Sequence, residues 1–386
     1  MKSLIISYFF PPGSTGAATV MYNFCKHLPQ ESYVTITAGK YFSKNLGAYD
    51  AKFVINGDIR RLPINDTTYF SRFRFLFFSI VSAVTIRKKI DCIIAVYPFF
   101  TDLFSGFVIS KITKRPLVVY MHDLFSENKR GTRLYPIWLI LERIVLKHSS
   151  SILVMNNKYV GYYRWRGINN LVLFPPTINS SNSGSIPSQL SETKSKYEKI
   201  KTVFTGSAYG AQENAILYFL DAAKSIKDVE VVFATPMTFG LTKLMKESLK
   251  EVNLGFLSKK DCLRLQSSAD VLLLPLALNW KRPEEIMCAF PCKLLEYLAA
   301  AKPILAIVPD NSFVASFVRK HDIGIVVTKP SIEEISQALE KLKDPKIREK
   351  YSANCREAVK LFDSKIWAEK LESILEDIYV KWRSKQ

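Results

Sequence analysis

The sequence predicts an α/β protein of two domains, each a parallel sheet covered by helices on both faces, with the two sheets facing across a cleft. Three observations carry this expectation. The chain has 386 residues, too many for one ordinary core and suited to two domains. Short continuous apolar runs alternate with helical stretches along both halves, the pattern of buried parallel strands and their crossovers. A stretch rich in Pro, Ser, Asn and Gly, without that rhythm, separates the halves.

Taken in order, Lys2 to Phe9 reads as a buried strand, Pro11 to Gly16 as a turn and Ala17 to Leu28 as a helix. A strand follows at Tyr33 to Thr37, then an irregular stretch over 39–70. Phe70 to Lys89 is helical and rich in aromatics; Asp91 to Val96 and Leu117 to Met121 are strands, and Leu134 to His148 is a helix. Ser151 to Met155 and Leu171 to Phe174 complete the first alternation, giving a domain over 1–177 and a linker over 178–200. The second alternation, over 201–362, places strands at Thr202 to Thr205, Glu230 to Ala234, Val252 to Phe256, Val271 to Leu274, Ile304 to Val308 and Ile323 to Val327. A terminal helical segment covers 363–386.

Composition narrows the function classes. Hydrophobic residues make up 48% and charged residues 23%, so both domains are expected to be globular. Six scattered cysteines form no C-x-x-C pair, which favours reduced thiols over a zinc site. The apolar start is too short for a signal peptide, and the best membrane candidate, Phe75 to Ile86, is too short to span. Residues 1–177 carry 12 Lys and 11 Arg against 6 Asp and 3 Glu, a net +14 of the chain's +19. An acidic partner is therefore expected at the first domain. The run Arg72 to Phe78, closed by Arg87-Lys88-Lys89, suits either an interfacial helix at an anionic membrane or a core helix with snorkelling ends.

The most informative segment is FPCKLLEYLAAAKPILA, residues 290 to 306. Pro291 suits the first helical position, which needs no amide donor. Lys293 then falls in the first turn, and Glu296 three residues later on the same side. Helix amides and Lys293 suit a diphosphate, and Glu296 suits ribose hydroxyls, so the pair fits a nucleotide sugar. Three strand-to-loop junctions add candidates: Gly13, Ser14, Thr15 and Gly16 after the first strand; His122 and Asp123 after Met121; Gly206 and Ser207 after Thr205. An imidazole at His122 suits a sugar hydroxyl or phosphate, with Asp123 placed to orient it.

These segments resemble the retaining nucleotide-sugar glycosyltransferases of family four. The likeness is carried by 290–306, by the strand ending in His122-Asp123 and by the opening strand with its Pro-Gly loop. It implies the GT-B fold, two Rossmann-like domains with donor on the second and acceptor on the first, and a terminal helix crossing back to the first. It implies transfer of a hexosyl or N-acetylhexosaminyl group from a UDP- or GDP-sugar to a glycan or lipid-linked acceptor in surface-polysaccharide assembly. The donor set it implies is Gly206, Ser207, Lys281, Arg282, Ala289, Phe290, Lys293, Leu294 and Glu296, with 13–16 as acceptor or phosphate loop and His122 and Asp123 as catalytic. The sequence departs from the family twice. Gln212, Glu213 and Asn214 stand where basic residues often grip the diphosphate, so either Lys293 alone, or Lys281 and Arg282 from the preceding loop, must supply the charge. Cys288 stands where a second Glu is common, which shifts sugar contacts to the backbone at Ala289 and Phe290.

No D-x-D triplet occurs, so transfer without metal or cofactor is expected. The expected location is the cytoplasm, either soluble or bound peripherally at the inner face of the cell membrane. Two other classes fit less well. A nucleic-acid-binding protein would use the basic half, but no zinc-finger, RRM-like or helix-turn-helix signature is present. A dinucleotide-dependent oxidoreductase lacks its glycine spacing in the first turn and an acidic end to the second strand.

Overall fold

A computed structural model describes residues 1–385 except 14, 40–54, 56, 98, 181–198, 237–241 and 251. The chain divides into two units, Met1–Thr177 with Ser364–Gln386, and Ile178–Asp363.

The first unit is built on a seven-stranded parallel sheet in the order β3-β2-β1-β4-β5-β6-β7. Its strands are β1 Ser3–Ile6, β2 Tyr33–Thr37, β3 Asp58–Arg61, β4 Cys92–Val96, β5 Leu117–Met121, β6 Ser151–Val154 and β7 Leu171–Leu173. Strands β1, β2, β4, β5 and β6 are buried throughout, which is why they read as unbroken apolar runs. The edge strand β3 was not expected, since 39–70 read as irregular. Its sequence, Asp-Ile-Arg-Arg, is polar because it pairs on one side only, with β2. The helices are α1 Gly16–Cys25, α2 Tyr69–Ile86, α3 Phe100–Thr113, α4 Tyr135–His148 and α5 Asn157–Trp165.

Helix α2 extends beyond Phe75 to Ile86, the apolar stretch that read as too short to span. Together with the following turn it forms the described chain's one helix, Tyr69–Lys89, long and apolar enough by length and composition to cross a membrane. However, Ser71, Phe75, Ser79, Ala83 and Ile86 bury one of its faces within the unit.

The terminal helix α14, Ser364–Arg383, belongs to this first unit and packs on α1. His27 Nε2 lies 2.9 Å from Ser364 Oγ, and Trp367 meets Phe174 edge to face at 5.5 Å. Phe174 is fully buried against Phe24 and Tyr120. Burying a ring of this size contributes about 1.5–3 kcal/mol.

The second unit holds a five-stranded parallel sheet in the order β12-β11-β10-β8-β9. Its strands are β8 Ile200–Thr205, β9 Val229–Ala234, β10 Val271–Pro275, β11 Ile304–Ile307 and β12 Gly324–Val327. The helices are α6 Glu213–Lys224, α7 Lys243–Leu249, α8 Lys259–Ser267, α9 Pro283–Cys288, α10 Cys292–Ala299, α11 Phe313–His321, α12 Ile332–Leu342 and α13 Pro345–Ala358. The expected strand at Val252 to Phe256 is only a bridge from Asn253 to Phe233. Gly255, at φ +77°, turns the chain away, and Leu254 and Phe256 are exposed. Successive crossovers run in opposite directions from β8, which leaves a switch point beyond the carboxyl ends of β8 and β10.

Gly324 lets β12 approach β11. A Cβ built there would lie 1.9 Å from the Ile304 carbonyl oxygen. Gly324→Ala is expected to cost roughly 1–3 kcal/mol or more, lowering Tm by several degrees. Gly161→Ala, in open space within α5, is the control and should leave Tm unchanged or raise it. Equal Tm for both variants would refute this account of the β11–β12 approach.

Candidate active site

The loops after β8 and β10 meet at the switch point. Gly206 leaves β8 at φ +92°, a left-handed conformation, and its amide donates to Ala234 O at 2.9 Å. The Ala208 amide donates to Thr235 Oγ1 at 3.0 Å. The two loops are tied by Ala277 N to Ala211 O at 2.7 Å and Leu278 N to Asn214 Oδ1 at 3.2 Å. Trp280 lies beside Gly210 and donates from Nε1 to Glu285 Oε2 at 3.0 Å. Arg282 pairs with the same carboxylate at 2.7 Å, so its charge is met locally. Lys281 is exposed, 5.7 Å from the Trp280 ring.

Helix α10 starts one residue later than the sequence suggested, with Pro291 as its cap. Its four fully or nearly fully buried side chains, Leu294, Leu295, Tyr297 and Leu298, fix the face that remains, and that face carries Lys293 and Glu296. Lys293 reaches under the β8 loop. Its Nζ donates to Ser207 O at 2.9 Å and lies 3.9 Å from the Phe204 ring centroid. A Cβ at Gly206 would sit 3.1 Å from Lys293 Cε, a tight contact that the lysine would have to yield to, so φ favours glycine here and a side chain would press on Lys293. Burial pulls the Lys293 ammonium down to about 7, against the opposing pull of Glu296.

Glu296 is held by groups from two other elements. Lys259, at the start of α8, donates to Oε1 in an ion pair. Gln266, fully buried near the end of α8, donates to Oε2 at 3.1 Å and to Thr205 Oγ1 at 2.7 Å. The Thr205 amide donates to the Tyr297 hydroxyl at 3.3 Å. Burial alone would raise the Glu296 pKa, but Lys259, Gln266 and Lys293 together hold it below the ordinary carboxylate value. A carboxylate offers about four acceptor positions, so capacity remains for a ligand's hydroxyls. Sequence reading missed Lys259 and Gln266. Their one signal is Ser258, which caps α8 through Asp261 N at 3.2 Å and so starts that helix at Lys259.

The remaining donor candidates divide. Ala289 ends α9, and Phe290 stacks on Phe313 at 4.9 Å. Leu294 is a correction: its side chain is fully buried and its amide bonds Pro291 O at 2.9 Å, so neither is offered to a ligand. Cys288, at the position of the family's common second Glu, is also fully buried.

In the first unit, His122 is the first residue after β5. The ring packs edge-on against Tyr120 at 4.4 Å, and neither ring nitrogen has a hydrogen-bond partner. Burial pulls its pKa down to about 3, so the imidazole is neutral near pH 7, with one N–H to give and one lone pair to accept. Asp123 does not orient it, contrary to expectation: neither ring nitrogen is bonded to its carboxylate, and Asp123 is exposed where the chain bends after β5. At the first loop, Pro11-Pro12 is cis, Gly13 N donates to Phe10 O at 3.2 Å, and Arg61 donates to Pro11 O at 2.6 Å. Thr15 caps α1 by accepting from Ala18 N at 3.2 Å, and Gly16 opens that helix. Ser14 lies outside the described residues.

The second unit thus presents a cation under a glycine loop and a pre-oriented carboxylate one turn along the same helix. Residues 191–358 match the family of glycosyl transferases group 1. The second unit carries a domain of this family. Its structure is similar to that of sucrose-phosphate synthase (tll1590) from Thermosynechococcus elongatus, with TM-score 0.76 and 14% identity, covering 99% of this chain and 100% of that one. Anabaena Alr3699/HepE, solved in complex with UDP-glucose, aligns with TM-score 0.71 and 15% identity over 98% of this chain and 100% of that one. WaaG, a glycosyltransferase involved in lipopolysaccharide biosynthesis, aligns with TM-score 0.68 and 15% identity over 96% and 99% of the two chains. At these identities the likeness establishes the fold, GT-B. No curated protein sequence matches the chain significantly.

Proposed function

We propose that the protein moves a hexosyl or N-acetylhexosaminyl group from a UDP- or GDP-sugar to a glycan or lipid-linked acceptor, with retention and without a metal, in polysaccharide or glycoconjugate assembly. The observation that carries the reading is the placement of Lys293 and Glu296 on one short helix at the switch point, under the Gly206–Ser207 loop. Lys293 meets the donor diphosphate and stabilises the charge that develops as it leaves. Glu296, held in place by Lys259 and Gln266, accepts from the ribose hydroxyls. Exposed Lys281 adds positive potential beside the loop after β10, and the backbone at Ala289 and Phe290 takes the sugar's far hydroxyls. His122, neutral and unpartnered, gives its N–H to a donor-sugar oxygen. The Gly13–Gly16 loop takes acceptor or phosphate. Attack from the leaving-group face follows the family resemblance, and the absence of D-x-D in the sequence favours a metal-free diphosphate site. The UDP-glucose complex of HepE supports a uridine donor as the first to try.

A thermal-shift panel with donor titration tests this. UDP, GDP or one of their sugars is expected to raise Tm, and NAD is not; stabilisation by NAD alone would overturn the proposal. The donor diphosphate is already ionised near neutrality, so Lys293 sets the pH dependence. Donor affinity should be flat below pH of about 7 and fall up to tenfold per pH unit above it, until the raised pKa of the complex is reached. Flat donor affinity across that range would remove Lys293 from the diphosphate.

A further inference from the structure

We infer that the face of the first unit formed by α2, α3, α4 and α5 is a docking surface for an anionic lipid bilayer. The steps β3 to β4, β4 to β5, β5 to β6 and β6 to β7 all run the same way across the sheet, so right-handed crossovers place these four helices on one face. Helix α3 packs against both α2 and α4, and Phe100 and Phe107 of α3 meet Trp138 and His148 of α4 at 5.2 and 5.7 Å. Tyr163 of α5 donates to Glu142 of α4 at 3.0 Å. The outer surface of this layer is therefore continuous.

Its charges are one-sided. Segments 69–89, 100–115, 130–148 and 157–166 contain two acids, Asp102 and Glu142, exposed to 0% and 2%. Basic side chains run along the outer face from Lys88 and Lys89 through Lys111 to Arg143, Lys147 and Arg164, all exposed. Large apolar side chains stand among them. Phe70, Phe73 and Phe77 of α2 are 74%, 63% and 62% exposed, Ile137 and Ile140 of α4 are 51% and 60%, and Trp165 of α5 is 84%. The spacing on α2 and on α4 is helical, so each helix presents a stripe opposite its core face. Scattered exposed apolar groups need no explanation, but a contiguous set does.

Aromatic and aliphatic anchors set among cations, with no exposed carboxylate, match the interfacial zone of an anionic membrane. A second copy of the chain is a poor occupant, because a two-fold contact would press this cationic face against itself. A spanning role for α2 is also disfavoured, since Phe75, Ser79 and Ala83 would have to leave the core. The inference stands apart from the donor reading, and donor binding can be measured without lipid.

The test is co-sedimentation of the full chain with vesicles of phosphatidylcholine alone and of phosphatidylcholine with phosphatidylglycerol. Binding is expected to the second only and to weaken with salt. The double variant Phe73→Ser, Ile140→Ser and, separately, the triple variant Lys88→Ala, Lys111→Ala, Lys147→Ala should each lose roughly tenfold or more in affinity. Both should keep the wild-type Tm, as these side chains lie outside the core. Absence of binding, equal binding to both vesicles, or binding that both variants retain would overturn the proposal. So would a wild-type dimer, seen by sedimentation velocity, that the Phe73→Ser, Ile140→Ser variant dissociates without any vesicle binding.

Discussion

Glu296→Ala is expected to raise the donor KM by roughly 10- to 100-fold, the loss of one or two charge-assisted hydrogen bonds to ribose hydroxyls. The carboxylate has Lys259 on one oxygen and Gln266 on the other. Removing it therefore also strands a cation and a buried amide, so the alanine variant alone mixes binding with local rearrangement. Two further variants separate the effects. Glu296→Gln keeps the shape and one acceptor oxygen and should give an intermediate KM. Lys259→Met leaves the carboxylate in place, and its donor KM should rise far less than that of Glu296→Ala. Donor kinetics within twofold of wild type in Glu296→Ala would end the ribose assignment. The pH behaviour of stability gives a second reading. A carboxylate held below its unfolded pKa stabilises the fold above that value and loses the contribution as pH falls through the folded pKa. The acid limb of the Tm profile should accordingly flatten in Glu296→Ala.

Lys293→Met is expected to lower kcat/KM by roughly 10²- to 10³-fold, with much of the loss in kcat, because the charge on the leaving diphosphate is greatest in the transition state. Stability should move the other way. Burial disfavours the lysine's charge, and the ammonium is pulled to about 7 despite Glu296 nearby. Between that value and the unfolded pKa of lysine the unfolded chain binds more protons, so stability rises with pH through this window. Methionine keeps the stem over Phe204 and has no proton to lose, so Tm near pH 6 should hold or rise and the alkaline increase should vanish. Lower activity with unchanged or higher Tm is a signature that a merely structural lysine would not give. A variant with wild-type kcat would remove Lys293 from the chemistry.

Much of the fold was legible because buried parallel strands are written twice, once as unbroken apolar runs and once as the helices between them. Tyr33–Thr37, Leu117–Met121 and Ile304–Ile307 are of this kind. Asp58–Arg61 was hidden for the opposite reason: an edge strand is held by hydrogen bonds from one neighbour and can be polar. Val252 to Phe256 misled because an apolar run can also lie on a surface, here with Leu254 and Phe256 exposed.

At the site, the sequence by itself determined that Lys293 and Glu296 share one face of a helix, since three residues apart is a local rule of geometry. It also fixed where that helix starts to within a residue. The tertiary structure alone decided what those side chains meet: Lys293 under the Ser207 carbonyl, Glu296 between Lys259 and Gln266, and His122 without a partner from Asp123. Periodicity is a property of neighbours along the chain, whereas the field at an ionisable group depends on charges and burial contributed by residues far away in sequence.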